Sequence, residues 1–223
     1  MTPSRAAPWV VAALALACGG EPDARPAAGA RAAAAPDDPG RPVILALGTS
    51  LTAGLGVDPS EAWPALIQAR LDSLGLRYEV VNAGVSGETS AGALGRAAWL
   101  LQRPPAVLIL ETGANDGLRG QDPDSLQARL EAILDLAATA NPAPRVLLAG
   151  MEAPRNWGAG YTARFRATYR EVAAERGIAL VPFLLEGVAA VDSLNQADGI
   201  HPNPAGHRRV AENLWPALEP LLR

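Results

Sequence analysis

Cysteine is almost missing from this chain: Cys18 is the only one in 223 residues. A lone cysteine excludes an internal disulfide framework and a cysteine-based zinc site. Lysine is absent altogether, so the 19 basic residues are all arginines, and they are scattered among 23 acids rather than gathered in a run. With a formal charge of -4 and no basic cluster able to neutralise phosphates, nucleic acid is not an expected partner. Histidine is nearly as scarce. His201 and His207 are the only two, and with the acids dispersed they offer no metal-ligand cluster, so no metal is expected. No cofactor is expected either, because G-x-G-x-x-G and the P-loop are both missing. What the chain does have is 49% hydrophobic content and 20 prolines, which suits one folded domain plus a non-folded extension.

No apolar run is long enough to cross a bilayer as a mature helix. The longest near the start, Ala6 to Ala17, follows the single charge of Arg5 and reads as the core of an export signal. Leu14-Ala15-Leu16-Ala17-Cys18 resembles the lipobox of bacterial lipoproteins, in which the cysteine becomes the acylated first residue; ordinary signal cleavage is the other reading. Residues 1–18 are thus expected to be a signal peptide. Residues 19–41, rich in Ala, Pro, Gly and Asp and without a large apolar side chain, form the tether. The folded domain then covers residues 42–223, exported and lipid-anchored to the envelope, facing periplasm or exterior, with membrane contact through the anchor alone.

From Arg41 onward strands alternate with helices. Val43 to Leu47 is a short apolar run without helical spacing, which predicts a strand buried on both faces. Leu55 to Leu74 carries apolar residues at near-helical intervals and predicts the first helix. Tyr78 to Asn82, Ala106 to Leu110, Arg145 to Ala149 and Ile178 to Val181 read as the remaining strands. Helices are expected at Ser90 to Gln102, stopped by Pro104 and Pro105; at Ser125 to Ala140, opened by Asp122-Pro123-Asp124; at Tyr161 to Arg176, ended by Gly177; and at Pro204 to Leu222, with a break at Pro216. Five strands joined by helical crossovers imply a parallel sheet in a three-layer α/β/α sandwich resembling flavodoxin.

Four short stretches, each just after a strand, carry the polar chemistry. Ser50 lies in Gly48-Thr49-Ser50-Leu51. The strands at 78–82 and 106–110 are followed by Asn82-Ala83-Gly84-Val85-Ser86-Gly87 and by Gly113-Ala114-Asn115-Asp116. Asp198-Gly199-Ile200-His201-Pro202 follows the last. Each alone reads equally as turn chemistry. Ser50 does not sit in G-x-S-x-G, so the nucleophile turn of α/β-hydrolases is absent. Together, however, the four supply every part that acyl transfer from an ester needs: a nucleophile, a base, an acid to orient the base, and oxyanion donors. His207, beside Arg208 and Arg209, is expected on a solvated helix face.

In order and kind these blocks resemble those of the SGNH hydrolases, also called GDSL esterases, over about Pro42 to Leu222, nearest to bacterial arylesterases and acyl thioesterase/lysophospholipases. The resemblance implies Ser50 as nucleophile, His201 as general base and then acid, and Asp198 as its orienter. It places the Ser50 and Gly84 N–H groups and the Asn115 amide in the oxyanion hole. The family's first block reads Gly-Asp-Ser, whereas Thr49 stands here, which puts in question the bonding that holds the nucleophile loop. Met151, Pro154, Asn156 and Trp157, with the loop from Phe183 to Val191, are expected to shape an acyl pocket. The expected activity is hydrolysis of short- to medium-chain or aryl esters, lysophospholipids and acyl thioesters remaining open, by a monomer. A sugar O-deacetylase and an inactive envelope-binding module are the alternatives.

Overall fold

The computed structural model describes residues 40–222, so the signal segment, Cys18 and nearly all of the tether lie outside the described residues. Five strands form one parallel sheet: β1 (Val43–Gly48), β2 (Glu79–Gly84), β3 (Val107–Glu111), β4 (Arg145–Ala149) and β5 (Ala179–Val181), in the order β2-β1-β3-β4-β5. Parallel neighbours cannot be joined by hairpins, so each connection crosses over a face of the sheet and covers it with helix. Ile44 to Leu47 and all of β3 are buried, as expected for central strands of continuous aliphatic sequence. The chain leaves β1 to one side for β2 and returns to the other for β3. That reversal makes the β1/β3 boundary the switch point, where the loops beyond the carboxyl ends diverge and leave a crevice.

Single helical turns, α1 (Ser50–Ala53) and α4 (Ala114–Leu118), lie at that edge directly after β1 and β3. Of the longer helices, α2 (Trp63–Ser73) packs on α7 (Pro204–Leu218), while α3 (Ser90–Leu100), α5 (Pro123–Thr139) and α6 (Ala159–Arg176) pack side by side as the other layer. The α6 sequence places an aromatic residue at every fourth position. Tyr161, Phe165 and Tyr169, with Trp157 just before the helix, form a continuous file with ring centroids 6.2, 6.0 and 5.8 Å apart. The file ends at the sheet edge, where the buried Tyr169 hydroxyl donates to the Thr112 carbonyl at 2.8 Å. Gly113, at φ +102°, has no room for a side chain, since a Cβ there would lie 2.1 Å from the Tyr169 hydroxyl. The turn that carries Asn115 is thereby fixed from beneath.

Three local expectations need correction. The helix expected over Leu55 to Leu74 begins only at Trp63; Gly54 and Gly56 both take positive φ, and Asp58 and Glu61 form a reciprocal cap around a short 3₁₀ turn. Pro216 does not interrupt α7, because it lies in the final turn, and a 3₁₀ turn over Glu219–Leu222 follows. His207 is buried, not solvated. It shares the stripe of Val210, Leu214 and Leu218 that faces α2, and its Nδ1 accepts the Trp63 N–H at 3.3 Å. Burial, with a smaller contribution from His201, lowers its pKa to about 4, so the ring is neutral where it is packed.

Candidate active site

β1 delivers Gly48 to the sheet edge with no space for a side chain: a Cβ would lie 1.9 Å from Thr52 Oγ1 and 2.7 Å from Glu111 Oε2. The chain turns there into α1. Thr49 caps this turn, its hydroxyl accepting from Leu51 N–H at 3.4 Å. The buried Ser50 follows as first helical residue.

The opposite wall is a loop stabilised by its own sequence. Asp198 Oδ1 accepts the N–H groups of Ile200 (2.9 Å) and His201 (3.0 Å), while Gly199 takes φ +66° to close the turn. The loop is held to the β1 side by Gln196, whose amide donates to the carbonyls of Leu55 (2.7 Å) and Pro202 (2.9 Å). As a result His201 Nε2 lies 2.9 Å from Ser50 Oγ, and its Nδ1 lies 2.6 Å from Asp198 Oδ2. The His201 N–H, the His201 ring and the Ile200 N–H hold the Asp198 pKa down to about 2. The carboxylate is therefore ionised beside the ring, which fixes Nδ1 as donor and leaves Nε2 to accept from the serine.

A cavity of about 790 Å³ opens over Ser50 and His201. Gly87, Asn115, Leu118, Met151, Pro154 and Phe183 are among its lining residues. Asn115 is placed by its own amide, which donates one N–H to the Glu88 carbonyl at 2.9 Å and retains a second. Gly84 does not fill the place assigned to it. β2 runs two residues further than the sequence suggests, so Gly84 pairs with Gly48 inside the sheet, its N–H donates to Asn82 Oδ1 at 2.9 Å, and it packs under Ala53. The glycine in the cavity wall is Gly87, at φ +77° with open space beside it. The pairing with Gly48 that takes Gly84 into the sheet is tertiary, so no local signal separates the two glycines.

Of the expected pocket residues, Met151 and Pro154 line the cavity but Asn156 and Trp157 do not. Trp157 turns away to pack against Gly120 and Tyr161. Leu51, Leu55 and Ile200 supply apolar wall beyond the pocket stretches that the sequence points to. The loop from Phe183 to Val191 does contribute, through Phe183, Leu185, Ala189 and Ala190.

A profile of the GDSL-like Lipase/Acylhydrolase family matches residues 46–209. The chain belongs to that family. It is 47% identical over 180 residues to the protein named Esterase TesA from Pseudomonas aeruginosa, covering 80% of this chain and 89% of the relative. The Escherichia coli protein named Thioesterase 1/protease 1/lysophospholipase L1 is 39% identical over 180 residues, covering 80% and 84% of the two chains. Among solved structures, the psychrotrophic esterase EstA from Pseudoalteromonas sp., inhibited by monoethylphosphonate, superimposes with a TM-score of 0.75 at 31% identity, covering 81% of this chain and 98% of that one. Fold and family are those of an ester hydrolase.

The exchange of the family aspartate for Thr49 is resolved by Glu111, the last residue of β3. Its fully buried carboxyl accepts the Thr49 N–H (2.8 Å), the Thr49 hydroxyl (3.0 Å to each oxygen) and the Thr52 hydroxyl (2.8 Å). A second carboxylate at position 49 would face the first; a threonine gives Glu111 a donor instead. Burial pushes the Glu111 carboxyl above its ordinary 4.5, against the opposing effect of these bonds. A carboxyl whose pKa rises on folding favours the native state below its unfolded pKa, and that contribution is lost as pH climbs from there through the folded value. His207, with a lowered pKa, has the opposite slope between 6.5 and about 4. Comparison with Glu111→Gln isolates the carboxyl, since His207 is common to both proteins. The melting temperature of wild type relative to Glu111→Gln should therefore fall as pH rises above 4.5; a constant difference across pH 4 to 9 would show that the carboxyl gains no proton on folding.

Proposed function

We propose that the protein is a serine esterase in which Ser50, His201 and Asp198 act as a relay and the acyl chain occupies the apolar cavity. The observation that carries this reading is the 2.9 Å contact between Ser50 Oγ and His201 Nε2. His201 takes the serine proton as the oxygen attacks the ester carbonyl. The oxyanion that forms is received by the N–H groups of Ser50 and Gly87 and the free amide hydrogen of Asn115. The Ser50 amide, in the first turn of α1, has no intrahelical acceptor to satisfy it. His201 then gives its proton to the leaving alcohol. A water, deprotonated by the same ring, hydrolyses the acyl-enzyme. Asp198 stabilises the imidazolium at each stage and keeps its own charge.

The lining indicates the substrate class. An acetyl group on a sugar needs little apolar space and many hydrogen-bond partners, whereas this cavity is walled largely by Leu, Met, Phe, Ile and Ala side chains. That favours short- to medium-chain esters over carbohydrate deacetylation, with lysophospholipids and acyl thioesters within the same chemistry. The inactive binding module is disfavoured by the assembled relay. Of the charged lining residues, Glu152 is paired with Arg166 at 2.9 Å, and Arg155 is the lining arginine. On p-nitrophenyl esters of increasing acyl length, wild type should turn over and Ser50→Ala should not. Asn115→Ala should lower kcat by roughly 10²–10³ with little change in KM, the usual effect of losing one oxyanion donor. Turnover that survives Ser50→Ala would reject the reading.

The site of action we propose is the bacterial envelope, on the strength of the export-type leader and Cys18 in its lipobox-like setting. Mass spectrometry of the mature protein from a bacterial host should find an acylated Cys18 at its N-terminus; an unmodified terminus elsewhere would indicate ordinary secretion.

A further inference from the structure

The three oxyanion donors come from three separate loops, after β1, β2 and β3, and one ion pair ties those loops together. Arg96, on α3, places its guanidinium against Glu88: Nε lies 2.8 and 3.0 Å from the two carboxylate oxygens and Nη2 lies 2.7 Å from one of them. The same Nη2 donates to the Gly48 carbonyl at 3.1 Å, two residues before Ser50. The Glu88 carbonyl in turn receives the Asn115 amide at 2.9 Å, and Glu88 directly follows Gly87. The side chains of Arg96 and Glu88 are only 21% and 9% exposed, so the pair is poorly screened by solvent. Gly92, in the first turn of α3, leaves the space that Glu88 fills, since a Cβ there would lie 2.7 Å from Glu88 Cγ.

We infer that Glu88 and Arg96 are positioning residues for the oxyanion hole, setting the spacing of the Ser50, Gly87 and Asn115 donors without touching substrate. The inference rests on the esterase reading above. A planar fork is required, because one guanidinium must meet a carboxylate with two N–H groups and a carbonyl with a third contact; an ammonium group cannot hold that geometry. Loss of the fork frees the Glu88 carbonyl to drift, and Asn115 drifts with it.

The test is a kinetic cycle on a p-nitrophenyl ester using Arg96→Ala, Arg96→Lys, Glu88→Gln and Asn115→Ala. Arg96→Ala should lower kcat by about 10- to 100-fold, with KM within about twofold, because the donors bind the transition state rather than the ground state. Arg96→Lys and Glu88→Gln, which keep bulk and some bonding, should fall between it and wild type, and they carry the test if the alanine variant does not fold. In the Asn115→Ala background, Arg96→Ala should cost less than about threefold further, since residues acting through one another are not additive. Fully additive losses, parallel changes in KM, or an unchanged kcat would overturn the inference. Activity retained by Ser50→Ala in the same assay would instead overturn the esterase reading on which it stands.

Discussion

Ser50 and His201 are separated by 151 positions in sequence, and the proposed chemistry depends on their meeting at 2.9 Å. What forces the meeting is the reversal of strand order at β1. The chain places Ser50, the proposed nucleophile, at the carboxyl end of a central strand, adds β2 on one side, and builds β3, β4 and β5 on the other. After β5 it returns over the sheet edge to Ser50, where Gln196 anchors the histidine loop to Leu55 before α7 closes the layer. Each half of the pair is held by its own local device. Thr49 caps the serine turn, and Asp198 accepts the N–H groups that shape the histidine turn.

Rigidity beneath the site comes from polar groups that burial obliges to be paired. Glu111 meets three donor groups of Thr49 and Thr52 within the nucleophile turn. Asp116, next to Asn115, accepts the Ser90 N–H at 2.8 Å and is approached by Arg129 at 3.3 Å, which ties α4 to α3 and α5. Tyr169 supports the same turn through Thr112. An unsatisfied group at any of these positions would cost about 1–3 kcal/mol, so the sheet edge is held by several independent penalties against movement. Electrostatic catalysis requires this, because donors aimed beforehand need no reorganisation as charge develops.

Much of this was legible in the sequence, for identifiable reasons. β1 and β3 are continuous aliphatic runs of five or six residues bounded by turns, too short for a core helix, and so read as central strands. The Asp198/His201 turn was readable because its bonding is local, within four residues. The misreadings occurred where tertiary contacts overrode the local signal. Gly84 ends a strand rather than beginning a loop because its partner Gly48 lies in another strand. The arginines beside His207 suggest a solvated face, although its helical spacing to Val210 and Leu214 marks it as core. Trp157 is drawn away from the cavity by the aromatic file of α6, which becomes visible only when the fourfold spacing is read from 157 rather than from 161. Glu111 could not be interpreted from sequence at all, since its donors lie 59 and 62 positions away.

The central claim is that the Ser50 oxygen, activated by His201, is the atom that attacks. Its most direct test is covalent capture: incubation with a p-nitrophenyl alkylphosphonate, followed by peptide mass spectrometry. One phosphonyl group per chain on the peptide containing Ser50, abolished in His201→Ala, is the expected result. An adduct on another residue, or full activity with no adduct, would contradict the account.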